Sequence, residues 1–397
     1  MITIILVAIT ISFLYDLLLV WFNIKQTKLA LPTSVSGIYD KDNYSEWMRY
    51  SKLKYKQKII YSLFILLYNS AFLIFGIYKM STVESMYWSV ILYILIYYSG
   101  VFIIKTVRNY YNEFLIEKKY GFSKVTKGKF LIKQLIKLIA QVAIAIPIIM
   151  LLIYVLDNGS NTLYIISLSV IAFIIIIIEL FSINFLASFS KTKEFEDNEL
   201  KDEVIKVLSI IGYENTKILL VESKDSTKLD AYFGGVGKFK RILISTSIIE
   251  KLTIDEIIAV ILHEIAHHKR HHTYIDLIDT FIKSGVYLLL FVFTVSSYFL
   301  DGLSNPGLGF SIIIFFMLLA PLMNILRALA SPIARMQEYQ ADKFAVDQGY
   351  GLHMISGLKK AAKENLVNLN PHPLFVRLKY SHPTIGNRID SIEKAIK

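Results

Sequence analysis

Five of the chain's eight histidines fall within ten residues, "HEIAHHKRHH", His263 to His272. The run before them, "TIDEIIAVIL", has helical apolar spacing, with Thr253 or Asp255 as the N-cap. On a helix, His263 and His267 stand about one turn apart on one face, where two imidazoles can share a metal ion. Glu264 lies beside them and can take a proton from a water that the metal activates. The same geometry sorts the other three histidines. At about 100° per residue, His268 is turned roughly 140° from His263, and His272 roughly 180°, onto the far face. His271 lies about 12 Å along the axis. None of them joins the same ion unless the helix breaks, and the sequence shows no breaker before the next apolar span. They read as a basic rim, not as ligands.

A catalytic metal needs a third protein ligand and an open position for water. The chain has no cysteine, so the ligand must be His, Asp or Glu. "RMQEYQADKFAVDQG" supplies Glu338 and Asp342 at i and i+4 of an expected helix. Glu338 is the candidate ligand. Asp342 is a candidate to orient a ligating imidazole from behind. Two histidines and a glutamate with an open site favour zinc, one ion per chain.

The elements that must carry these residues are largely membrane helices. The chain has 397 residues, 54% hydrophobic and only 19% charged. Its apolar residues are gathered in runs long enough to cross a bilayer. Seven such spans are expected near 2–23, 59–78, 86–107, 131–156, 163–188, 273–300 and 308–330. The first lacks a basic leader and a clear cleavage site, so it reads as a retained anchor. Residues 25–58 carry eight Lys or Arg and residues 105–129 carry seven, while the intervening short loops carry almost none. The positive-inside rule then puts the N-terminus outside, with the large loops and the C-terminus in the cytoplasm. The net charge of +11 belongs to this asymmetry; no nucleic-acid motif accompanies it.

Residues 190–272 and 331–397 remain to fold outside the membrane. Neither has much core alone, so together they are expected to form one cytoplasmic α+β domain. Residues 1–189 would hold five membrane helices and two basic loops, and 273–330 the sixth and seventh. The first soluble piece is expected to open with an acidic amphipathic helix, "EFEDNELKDEVIKVLSIIGY". Strand-like runs follow in "TKILLVE", "DAYFGGV" and "FKRILIST".

HExxH followed by ExxxAD among seven spans resembles the integral-membrane CAAX prenyl protease family. Three further stretches carry the resemblance: "FLIEKKYGFSKVT" (Phe114–Thr126), "DAYFGGVGKFKRILIST" (Asp230–Thr246) and "HPLFVRLKYSHPTIGNRI" (His372–Ile389). The resemblance implies a mainly helical membrane zinc protease whose helices enclose a water-filled chamber. It implies His263, His267 and Glu338 as zinc ligands, Glu264 as general base and Asp342 behind a ligand. His382 would stand near the scissile carbonyl and donate to the oxyanion. Arg388 would serve the same motif, and His272 would support the site without ligating. Asp230, Ala231 and Tyr232 would form the strand that pairs with an extended substrate. The family usually has Asn where this chain has Asp230, and a carboxylate cannot donate as an amide does.

The expected activity is hydrolysis of a peptide or protein C-terminus, plain or prenylated, by a monomer in the bilayer. Richness in Ile, Lys, Tyr and Asn, with short outer loops, points to a bacterial plasma membrane. Two other readings stand at this point. One is a quality-control zinc protease of the heat-shock type. The other is a non-catalytic seven-span channel or receptor with a structural metal, against which Glu264 argues. Asp16, Glu179, Asp276, Asp279, Lys283 and Arg327 lie in or beside apolar spans. They are expected to be paired, to reach the interface, or to face a wet cavity.

Overall fold

The computed structural model describes the chain except residues 1, 76–85, 158–168, 171–172, 175–176, 178–191, 195–198, 215, 223–226, 230, 235–240 and 296–307. Four helices lead: α1 (Ile2–Gln26), α2 (Lys41–Ile74), α3 (Met86–Tyr111) and α4 (Lys127–Asp157). Next come β1 (Thr192–Glu194), α5 (Glu199–Ile210), β2 (Lys217–Val221), β3 (Ala231–Gly234) and β4 (Arg241–Ser245). Then follow α6 (Thr246–Lys251), α7 (Ile254–Lys269), α8 (His272–Val295), α9 (Leu308–Asp347), α10 (Gly351–Glu364), α11 (Pro373–Lys379) and α12 (Ile385–Ile396).

Among the described residues, six helices are long and apolar enough to cross a membrane: Ile2–Gln26, Lys41–Ile74, Val90–Glu117, Lys127–Ile148, His272–Val295 and Leu308–Asp347. The expected span at 163–188, with Glu179, lies largely outside the described residues. Large apolar side chains such as Ile4, Leu95, Leu131 and Leu289 point outward, the arrangement hydrocarbon requires. The helices hold one another through Ile5 and Ile9 of α1, Phe72 and Leu73 of α2, Tyr93 and Tyr97 of α3, and Phe310, Ile313 and Met317 of α9.

Three helices run well past the lengths that hydropathy alone assigned. The span expected at 59–78 belongs to α2, which already starts at Lys41, capped by the Asp40 carboxylate accepting from the Asn43 N–H. α3 passes directly into a π-turn at Asn112–Glu117. α9 is one 40-residue helix through Pro321 and Pro332, about 60 Å long at 1.5 Å per residue. About half of that length fills a bilayer core, so one rod carries both the last membrane segment and the ExxxAD motif.

The four strands form one sheet in the order β1-β2-β4-β3, with β2 and β4 parallel and the outer pairs antiparallel. β3 is an edge strand with β4 as its neighbour in the sheet. The sequence places a helix from Glu194 onward; the structure puts Glu194 in β1 and starts α5 at Glu199. α5 ends at Ile210 and is closed off by Gly212, whose φ of 77° suits a residue without Cβ, while the Tyr213 N–H returns to the Leu208 carbonyl.

One core joins Val204 and Leu208 of α5, Ile242 and Ile244 of β4, Ile258, Leu262 and Ile265 of α7, and Ala341 and Phe344 of α9. A second joins Val35, Trp47 and Tyr50 of the first basic segment to Ile116 and Phe122, then to Met354 and Leu358 of α10 and Ile389 and Ile392 of α12. Segments that read as loops between membrane spans therefore pack into the same body as the C-terminal helices.

Candidate metal centre

α7 is the most buried helix near the site, with Ile258, Ala259, Ile261, Leu262, Ile265 and Ala266 all inaccessible. Its start is fixed by a capping box. The Glu256 N–H donates to the Thr253 hydroxyl and the Thr253 N–H to the Glu256 carboxylate, so Thr253 is the N-cap and Asp255 is not. Ser356 and Lys360 of α10 bind the same carboxylate at 2.6 and 2.7 Å. Burial alone would raise the Glu256 pKa, but these hydrogen bonds and the Lys360 charge outweigh it and hold it below the usual range.

His263 and His267 lie one turn apart on α7, with their Nε2 atoms 3.3 Å apart. Glu338, from α9, meets both: Oε2 is 3.5 Å from His263 Nε2, and Oε1 is 3.6 Å from His267 Nε2. One ligand atom from each of the three lies within 4.8 Å of the others. Glu338 is 6% exposed, and among the described residues its buried Oε2 accepts no hydrogen bond, with only the ionic contacts to His263 and Arg388 at 3.5 Å. A buried carboxylate oxygen left without a hydrogen bond is costly. A cation held by these three residues would satisfy it, and the nitrogen and oxygen donors suit zinc. The residues present therefore fit the metal.

Each imidazole is held from behind. Asp342 Oδ1 is 3.0 Å from His263 Nδ1, which puts a proton on Nδ1 and directs Nε2 into the site. Arg388 of α12 grips Asp342 with Nε at 2.8 Å and Nη2 at 2.6 Å, and its Nη1 lies 3.5 Å from Glu338 Oε2. Burial opposes the Arg388 charge, but Asp342, Glu338 and Glu264 together outweigh that and keep it firmly ionised. Burial likewise opposes charge on His263, yet Asp342 and Glu338 overcome it and push its pKa up to about 9. Burial, then the His263 charge, drives His267 down to about 3.

His267 is held by a residue that the sequence placed on the opposite face. α7 stops at Lys269, and His271 takes φ 61°, a left-handed turn. α8 then restarts at His272. The expectation of an unbroken helix is corrected here, and so is the far-face placement of His272. Its Nδ1 lies 3.0 Å from His267 Nδ1, and its Nε2 lies 2.9 Å from Gln340 Oε1. Since Gln340 Oε1 only accepts, His272 carries its proton on Nε2 and accepts from His267 Nδ1–H. That leaves His267 Nε2 free for the metal. Neither the break nor Gln340 has a signal in the sequence. His268 turns away to Tyr213, with 2.6 Å between hydroxyl and Nδ1, and His271 is exposed.

Glu264 is half-buried next to His263. His382 reaches in from the segment between α11 and α12: its Nε2 is 3.4 Å from Glu338 Oε1, yet its side chain is 66% exposed. It is thus both at the centre and accessible from solution. Ala231 and Tyr232 begin β3, which packs along α7, and Tyr232 is exposed. Asp230 lies outside the described residues. The structure thus gathers His263, His267, Glu338, Asp342, Arg388, His272 and His382 from three stretches of the chain, 263–272, 338–342 and 382–388. Arg335 was not foreseen: it donates to the carbonyls of Val376, Arg377 and Tyr380, capping α11 just before His382.

Two family models match. Residues 194–396 match peptidase family M48, and residues 21–190 match the CAAX prenyl protease N-terminal region, described as five membrane helices. CAAX prenyl protease 1 of Saccharomyces cerevisiae is 28% identical over 306 residues, covering 72% of this chain and 68% of that protein. A CAAX prenyl protease 1 homolog of Arabidopsis thaliana is 28% identical over 386 residues, covering 92% and 90%. The crystal structure of S. mikatae Ste24p superposes with a TM-score of 0.86 at 24% identity, over 98% of both chains, which establishes the shared fold. With one model on the membrane helices and the other on the body holding the HExxH helix, the chain belongs to the M48 CAAX prenyl protease family of membrane-embedded zinc metalloendopeptidases.

Proposed function

We propose that the chain cleaves a peptide bond near the C-terminus of a protein or peptide, prenylated CAAX-type chains included, using one zinc ion held by His263, His267 and Glu338. The observation that carries this is the convergence of those three ligand atoms within 4.8 Å beside Glu264. When bound, zinc supplies Lewis acidity to the scissile carbonyl and lowers the pKa of water. Glu264 takes the proton of the attacking water and returns it to the leaving amine. His382, exposed yet 3.4 Å from Glu338, donates to the developing oxyanion. Asp342 with Arg388, and His272 with Gln340, orient the two imidazoles. The substrate lies extended along the outer edge of β3 at Ala231 and Tyr232, and Asp230, the preceding residue in the sequence, belongs to the same substrate-binding stretch. The names of the relatives support a prenylated substrate.

The membrane arrangement that goes with this reading has seven spans around a wet chamber, the N-terminus outside, and the catalytic body of 190–272 plus 331–397 in the cytoplasm. The five-helix description of the N-terminal family model supports the additional span at 163–188. The experiment is a Glu264→Gln variant, zinc-loaded in detergent or nanodiscs and given prenylated and plain peptides. It should keep its zinc while hydrolysis falls at least about a thousandfold, the order expected when the general base and its charge are lost together. Mass mapping of the cuts reads the substrate class. Retained peptidase activity in this variant would overturn the mechanism.

A further inference from the structure

The stretch "FLIEKKYGFSKVT" has no part in the metal centre, although it is among the stretches that most resemble the family. In the structure it touches the segment that leads into β3. The π-turn Asn112–Glu117 inserts an extra residue into the end of α3 and turns Ile116 and Glu117 inward. A Schellman turn closes it: the Phe122 N–H returns to the Glu117 carbonyl at 2.8 Å, with Gly121 at φ 76°.

Three consecutive residues ahead of β3 are then held from outside the sheet. The Thr227 hydroxyl donates to the Gly121 carbonyl at 3.0 Å. Lys228 Nζ sits 3.1 Å from Glu117 Oε2 and 5.0 Å above the Phe122 ring. Leu229 is clasped by the Asn365 side chain, which accepts from its N–H at 3.0 Å and donates to its carbonyl at 3.2 Å. Glu117 is itself fixed by Lys54 at 2.5 Å and by the Tyr50 hydroxyl at 3.1 Å, both from α2. Asn365 caps α10 beside Leu366, a leucine held at φ 48° with its side chain buried. Such a conformation persists only where the surroundings impose it.

β3 has β4 on one side and lies along α7, so its outer edge can move relative to the zinc ligands unless its start is pinned. We propose that Glu117 and Asn365 are positioning residues for the substrate. They act through Lys228 and Leu229 to fix the register and height of the β3 edge along α7, the helix that carries His263 and His267. The assignment rests on the reading that the substrate backbone pairs with that edge.

The test uses zinc-loaded full-length protein in nanodiscs and a cleavable peptide, with Glu117→Gln and Asn365→Ala as separate variants. Each should raise KM about tenfold with kcat changed less than about twofold and zinc content unchanged, the pattern of lost binding without lost chemistry. Lys228→Met should add little to Glu117→Gln, because the two residues act through one contact. A parallel series of peptides, N-methylated at one backbone amide at a time, tests the edge pairing itself. Wild-type protein should lose affinity for the peptides methylated at pairing amides, and the two variants should lose most of that discrimination. If the wild type ignores N-methylation, edge pairing is wrong and the assignment falls with it. If the wild type discriminates while both variants keep wild-type KM, edge pairing stands and the positioning role alone is overturned.

Discussion

At the scale of single residues, the centre is governed by where protons sit. His263 is buried between two carboxylates that hold its proton up to a pKa of about 9, whereas His267 is neutral above about 3. A metal must therefore displace one proton, that of His263, across the neutral range. The direction follows: His263 is charged below about 9, so zinc binding weakens as pH falls from there, by about tenfold per unit. Chelator competition between pH 6 and 9 measures the slope. Calorimetry in buffers of different ionisation enthalpy counts the proton. An affinity flat across that range would contradict the assignment of the proton to His263. His272 shows how narrow the sequence's view is at this scale. Its identity was plain, but its place depended on one left-handed residue before it.

At the scale of elements, α7 must keep its position while its neighbours belong to distant parts of the chain. Glu256 does much of this, capping α7 and binding Ser356 and Lys360 of α10. Its pKa is lower folded than unfolded, so its contribution is present above the ordinary glutamate range and is lost as pH falls through the folded value. Glu256→Gln should lower stability at pH 7 by about 1–2 kcal/mol, from the weakened cap and the lost ionic hydrogen bonds. The Lys360 arm, 41% exposed, is screened and adds little. Thermal midpoints measured from pH 7 down to 3 should converge for wild type and variant in acid. A gap that stays constant to pH 3 would rule out the charge as its source.

At the scale of the whole molecule, the catalytic body is tied to the membrane helices by polar contacts. Lys379, at the end of α11, is buried against Asp16 of α1 at 2.7 Å and Asn324 of α9 at 2.6 Å, while Lys58 of α2 approaches Asp16 at 3.7 Å. With Arg335 on the α11 carbonyls, this fixes the segment that presents His382. Asp16→Leu would leave Lys379 buried beside an apolar group. It should cost about 2 kcal/mol, less than a fully buried pair because the Asp16 side chain is 24% exposed. Unfolding in detergent measures this, and an unchanged midpoint would show the pair to be ornamental. Two more acidic residues of the described spans also have partners: Asp279 bonds Lys283 one turn on, and Asp276 accepts from Gln337.

The sequence by itself pointed to His263, His267 and Glu338 as a candidate metal site, to Glu264 as a candidate general base beside it, and to Asp342 as a carboxylate behind a ligating imidazole. Those follow from i, i+4 spacing on helices, a local rule that holds whatever the helices pack against. It also determined a membrane protein with a small sheet ahead of the zinc helix, since long apolar runs and alternating strands are local as well. Tertiary structure decided the rest. The break after Lys269 returned His272 to the site, and 40 residues of α9 proved to be one rod. The basic segments around Trp47 and Glu117 became part of the catalytic body. Each outcome depends on partners far away in the chain, and a pattern read along one segment carries no record of what that segment will meet.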